Sequence, residues 1–157
     1  MQKSVIQEVS SYISRSGRAE LPPEVIVKAK HHIMDTITSI VSGSSLKPGK
    51  IAIQFMETQK GVKEAQVIGS RIITSAINAA LANGMMAHAD ETDDSHEKSL
   101  THPGAAVVPA ALAIAERERA AGVSFLKGVV AGYDIGCRIT QALGVDTLRK
   151  QGRSTHS

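Results

Sequence analysis

Two alanine-rich runs, SAINAALANGMMA at 75–87 and GAAVVPAALAIA at 104–115, restrict the fold of this chain more than any other feature. Alanine is the best helix former, and its methyl group lets helix backbones approach closely. Little else is available to fill wider gaps, because aromatic residues make up 3% of the chain and tryptophan is absent. The core must therefore be built from Ala, Ile, Val, Leu and Met, a palette suited to tightly packed helices. The expected class is all-α, a helical bundle. At 157 residues, with 42% hydrophobic and 21% charged content, the chain reads as one globular unit spanning 1–157.

The spacing of apolar residues places the remaining helices. Val5, Ile6, Val9, Tyr12 and Ile13 share a face that should stop at Gly17. Pro22 and Pro23 suit the first turn of a helix carrying Ile26, Ala29, Ile33, Ile37 and Ile40 to about residue 42. A short helix is expected over 50–60, and AQVIGS at 65–70 has the one strand-like flavour. Ser70 or Thr74 is the expected cap of a helix over 75–88, with Asn83–Gly84 read as a turn exposing backbone amides to an anion. Pro103 fits the start of a helix to about Arg119, in which Pro109 predicts a kink or delayed start. A last helix should run from Phe125 to about Leu143, its Gly128, Gly132 and Gly136 stripe packing against a neighbour. His31 and His32 are expected within a helix, one facing solvent, and neither is given a role.

Charge and cysteine content remove several functions. The formal charge is +3, with Lys and Arg scattered and never interleaved with aromatics, so nucleic-acid binding is not expected. Small anionic substrates suit that charge equally well. The longest apolar run, 104–115, is too short to span a bilayer and contains Pro109. The N-terminus has no secretion signal, and the single Cys137 excludes an intramolecular disulfide, so a cytoplasmic protein is expected.

Between the two alanine runs lies a polar island. Three of the six histidines (His88, His96, His102) and five of the fifteen acids fall there, with Ser95 and Thr101 among them. Glu91, Asp93 and Asp94 cannot all be ionised together in a dry pocket unless a cation or a proton joins them. Histidine exchanges protons near neutrality, and the hydroxyls of Ser95 and Thr101 can hydrogen-bond a substrate carboxylate. His88, Asp90, His96 and His102 could ligate a metal, but their spacing matches no compact zinc signature, so no metal is expected. The plainer alternative is a surface loop whose acids cap helix starts.

The segments NGMMAHADETDDSH, THPGAAVVPAALAIAE and GYDIGCRI, supported by MDTITSIVSG, resemble the MmgE/PrpD family through nearly the whole chain. That resemblance implies a helical domain, and enzymes that act on small di- or tricarboxylates without metal or organic cofactor. It places His102 as the pocket histidine, Glu91 where an acidic Asp is usual and Ser95 where a Thr is usual, and it retains Asp93 and Asp94. GRSTHS resembles a segment bearing a second active-site histidine, here His156. The expected catalytic residues are thus His102, Glu91 and His156, with Ser95, Asp93, Asp94, Thr101 and His96 binding substrate. The family pattern continues into a lid domain, so the expectation is an incomplete helical domain without it. The expected function is a cofactor-independent lyase, a dehydratase or decarboxylase, acting on a polycarboxylate such as 2-methylcitrate or cis-aconitate. A homodimer is the expected assembly. The alternatives are an epimerase of the same family or a truncated, non-catalytic module that self-associates.

Overall fold

The computed structural model describes residues 4–59, 61–89 and 91–153. Among them the chain forms α1 (Val5–Ser16), α2 (Pro23–Ser44), α3 (Lys47–Thr58), β1 (Ala65–Gln66), β2 (Ile73–Thr74), α4 (Ala76–Ala87), α5 (Pro103–Arg117), α6 (Gly122–Leu143) and α7 (Val145–Lys150). The all-α expectation holds, since the strands make only a two-residue antiparallel pairing, Ala65 with Thr74 and Gln66 with Ile73. No described helix is long and apolar enough to cross a membrane.

Helix α4 is the centre of the packing, pairing most extensively with α5 and also with α2 and α3. Its alanines explain why: Ala79, Ala82 and Ala87 are completely buried, and Met86 fills the deepest gap. Around them lie Ile40 of α2, Met56 of α3 and Val67 of the hairpin, all essentially inaccessible. A second cluster, Ile33, Val108 and Val129, joins α2, α5 and α6. Burying a side chain such as Ile40 contributes roughly 1.5–3 kcal/mol. At the contact between α4 and α5, Pro109 lacks the N–H that would bond the Ala105 carbonyl. That carbonyl faces Gly84, where a Cβ would come within 3.0 Å of it. The proline inside α5 and the glycine inside α4 are therefore two halves of one close approach.

Several expectations change here. Helix α4 is capped by Ser75, whose side chain accepts the Asn78 N–H, rather than by Ser70 or Thr74. Ser70 closes the hairpin turn instead, donating to the Val67 carbonyl and accepting from the Ile72 N–H. Helix α5 starts at Pro103 and continues through Pro109 without delay. Asn83 and Gly84 do not form a turn. Asn83 is 1% exposed within α4. Its amide accepts from the Ile68 N–H and donates to the Gln66 carbonyl, pinning the hairpin to the helix. The amides near Gly84 are part of helix α4. Of the α6 glycines, Gly132 meets Val107 tightly, whereas Gly136 has open space beside it.

Candidate active site

The pairing of α4 with α5 places their adjoining ends together and gathers two of the island's three histidines. His88 is the residue at which α4 ends, and His102 is the one before α5 begins. Their rings lie 5.1 Å apart between centroids. Between them sits Asp93, whose side chain is completely buried. Its Oδ1 is 3.1 Å from Nδ1 of His88 and 3.5 Å from Nδ1 of His102. An Nδ1–H aimed at a carboxylate leaves Nε2 as the basic nitrogen, so the hydrogen bonds from Asp93 fix how His88 is presented, while Asp93 lies at ion-pair distance from His102. The same three residues offer ligand atoms within 4.8 Å of one another, which is a donor set a divalent cation accepts.

Asp94 turns the other way. Its Oδ1 accepts the Gly104 N–H at 2.8 Å, and its Oδ2 accepts the Tyr133 hydroxyl at 2.7 Å and faces Nδ1 of His32 at 2.9 Å. One carboxylate thus accepts hydrogen bonds from α5 and α6 and makes an ion-pair contact with α2. Burial, and then the hydrogen bond and charge of Asp94, push the Tyr133 phenol far above its ordinary value, with the Thr36 hydroxyl acting the other way. Tyr133 therefore stays a neutral donor. The three acids expected to crowd one pocket are separated: Asp93 and Asp94 serve different partners, and Glu91 is exposed.

The rest of the island folds as a tight turn. The His96 N–H donates to the Thr101 carbonyl at 2.9 Å, closing a single antiparallel bridge. Inside it the buried Ser99 hydroxyl lies 2.7 Å from both Nδ1 of His96 and Oγ1 of Thr101. Ser95 is exposed, beside this turn. Glu91 and Leu100 adopt φ values of 54° and 51°, the left-handed region that side chains avoid. Such residues cost on the order of 1–3 kcal/mol each and concentrate at functional segments. Asp90 and His156 lie outside the described residues.

Two residues of this constellation were given no role from sequence, His32 and Tyr133. A signal for the first existed: His32, Thr36 and Ser39 recur at intervals of four and three on α2, and Thr36 and Ser39 are buried polar groups. The Ser39 hydroxyl reaches Thr92 of the island at 3.5 Å. Helix α2 thus turns a polar stripe toward the site. His31 faces solvent. The helix-capping alternative is also realised in part, since Asp94 holds the first turn of α5.

Residues 7–156 match the model of the MmgE/PrpD N-terminal domain. The chain belongs to the MmgE/PrpD family. The cis-aconitate decarboxylase-like protein oryM of Aspergillus oryzae is 26% identical to it, over 94% of this chain and 32% of that protein. The cis-aconitate decarboxylase of Aspergillus terreus is 25% identical, over 92% of this chain and 31% of that enzyme. This MmgE/PrpD chain therefore spans about a third of the length of the curated relatives it matches.

Proposed function

We propose that this chain carries part of the acid–base site of a cofactor-independent lyase acting on a small di- or tricarboxylate, such as cis-aconitate or 2-methylcitrate. The observation that carries the reading is the buried Asp93 carboxylate set between the Nδ1 atoms of His88 and His102. It supports His102 as a base whose Nε2 lone pair would be held in one direction, the requirement for taking a proton next to a substrate carboxylate. The separation of 3.5 Å is long for a hydrogen bond and would have to shorten when substrate binds. In dehydration, His102 removes the α proton, the C–O bond breaks, and an acid such as Glu91 protonates the departing hydroxyl. In decarboxylation, the C–C bond to the carboxylate breaks, carbon dioxide leaves, and an imidazole that starts out protonated donates its proton to the carbon that keeps the electron pair. Ser95, Thr101 and His96 would bind substrate carboxylates, and His156 would be a second proton carrier. The relatives' names favour decarboxylation.

His102→Gln should lower turnover of cis-aconitate or 2-methylcitrate by roughly 10²–10⁴-fold, the usual worth of a positioned acid or base. Deuterium exchange at the substrate carbon should fall in parallel, with KM little changed. Wild-type turnover in that variant would remove His102 from the chemistry. A second reading takes His88, Asp93 and His102 as ligands of a divalent cation. Stoichiometric zinc or manganese in purified protein, with activity lost to chelator and restored by the metal, would put it in place of the first.

A further inference from the structure

We infer that the cavity between the 96–101 turn and α6 is a carboxylate-binding subsite for the far end of a polycarboxylate, an inference that rests on the lyase reading above. The cavity is a broadly open groove of about 650 Å³. Ligand pockets for small molecules commonly measure ~300–1,000 Å³. One wall is the turn, through His96 and Lys98; the other is α6, through Tyr133, Asp134, Arg138 and Gln141. The latter three recur at intervals of four and three, so they share one face of the helix.

The electrostatics of these walls favour an anion. Lys98 and Arg138 are cations against the single carboxylate of Asp134, which Arg138 already pairs, so the lining carries one net positive charge, that of Lys98. The one carboxylate among these lining residues, Asp134, is already engaged by the Tyr12 hydroxyl at 2.5 Å and by Nε of Arg138 at 2.6 Å. His96 adds a donor. Its Nδ1 accepts the Ser99 backbone N–H at 3.3 Å, so the ring proton sits on Nε2. The fully buried Ser99 holds the ring in that orientation.

Position ties this cavity to the acid–base residues. His96 is bridged to Thr101, the residue before His102. Paired Cα atoms lie about 5 Å apart and successive ones 3.8 Å, so the two histidine backbones are separated by roughly 9 Å at most. Tyr133 lines the cavity while donating to Asp94, the neighbour of Asp93. His102 does not itself line the cavity, so a polycarboxylate seated beside Lys98 would have to reach past the turn to meet it.

The test is calorimetric titration of the full chain with propane-1,2,3-tricarboxylate, an unreactive tricarboxylate, and with propionate as the single-carboxylate control. Lys98 is exposed, so Lys98→Glu should fold normally, and the exposed Lys63→Glu makes the same change in net charge away from the cavity. Lys98→Glu should weaken tricarboxylate binding about tenfold, within what reversing an exposed charge pair can do. Propionate binding should stay within about twofold, as should both ligands with Lys63→Glu. No tricarboxylate binding by the wild type, or equal effects of the two reversals, overturns the subsite. If Lys98→Glu binds normally while His102→Gln abolishes turnover, the lyase reading stands and the subsite falls. If Lys98→Glu loses binding but the protein turns over no polycarboxylate, the subsite stands and the lyase reading falls.

Discussion

Asp94 is the residue whose loss should cost this fold most for the fewest atoms changed. Its side chain is 9% exposed, accepts from Gly104 at 2.8 Å and Tyr133 at 2.7 Å, and lies 2.9 Å from Nδ1 of His32. Asp94→Asn keeps the shape but replaces one acceptor oxygen with an NH₂ group. If the remaining oxygen serves Tyr133 and His32, the Gly104 N–H meets a donor; turned over, the amide keeps Gly104 but can only donate to Tyr133 and His32, which must then accept, and the bonds to a charged acceptor are lost. Hydrogen bonds to a charged group contribute ~1.5–3 kcal/mol, and a stranded buried donor costs ~1–3 kcal/mol. These overlap rather than add, so the expected loss is about 2–4 kcal/mol. For a chain of this size that lowers Tm by roughly 5–15 °C.

Urea unfolding followed by circular dichroism measures the loss directly, given an unchanged m value. Tyr133→Phe, which removes one of the three partners, should cost about 1–2 kcal/mol. The double variant should fall short of the sum by ~0.5–3 kcal/mol, because both changes cut one network. Gly104→Ala attacks the same point sterically. Its Cβ would lie 2.5 Å from Oδ1 of Asp94, 2.6 Å from Oγ1 of Thr36 and 2.9 Å from the Tyr133 hydroxyl. An Asp94→Asn protein within about 0.5 kcal/mol of wild type, the range of an ordinary surface change, would refute the account of a three-helix clamp.

Three further outcomes are expected. Gly132→Ala should destabilise by ~1–3 kcal/mol through overpacking, because its Cβ would come within 2.6 Å of Val107. Gly136→Ala, with nothing within 4 Å, should stabilise by up to ~1 kcal/mol through helix propensity, and both are read by urea midpoints. Asn83→Ala strands the Ile68 N–H and the Gln66 carbonyl and should cost ~2–4 kcal/mol, with the hairpin amides losing hydrogen-exchange protection ahead of α4. Acid should release α1. Burial alone would raise the Asp134 carboxyl, but the Tyr12 and Arg138 hydrogen bonds and the Arg138 charge outweigh it and hold it below its ordinary value of 3.8. The contribution is therefore complete above that value and lost as pH falls through the lower folded pKa. Amide exchange in α1 should accelerate there before the rest of the bundle opens, and Asp134→Asn should abolish that pH step.

What the sequence revealed, and what it concealed, follows from the range of the forces involved. Proline at the start of α2 and α5, and the apolar spacing of α1, α2 and α6, are local signals, and those helices lie where the signals put them. Asn83–Gly84 is a strong turn signal by dipeptide, yet it sits mid-helix. The override is tertiary: Asn83 satisfies two hairpin backbone groups, and Gly84 accommodates a carbonyl that Pro109, twenty-five residues downstream, has left without its helical partner. The separation of the acids was hidden for a geometric reason. Adjacency in sequence suggests that Asp93 and Asp94 act as a pair, but outside a helix consecutive side chains project to different sides. One therefore enters the gap between His88 and His102 while the other crosses to α2, α5 and α6. That divergence gives the site its mechanical logic. The carboxylate facing His102 and the carboxylate fixing the first turn of α5, which begins immediately after His102, are consecutive residues. A displacement of this backbone would disturb the ring's ion pair and its anchorage together.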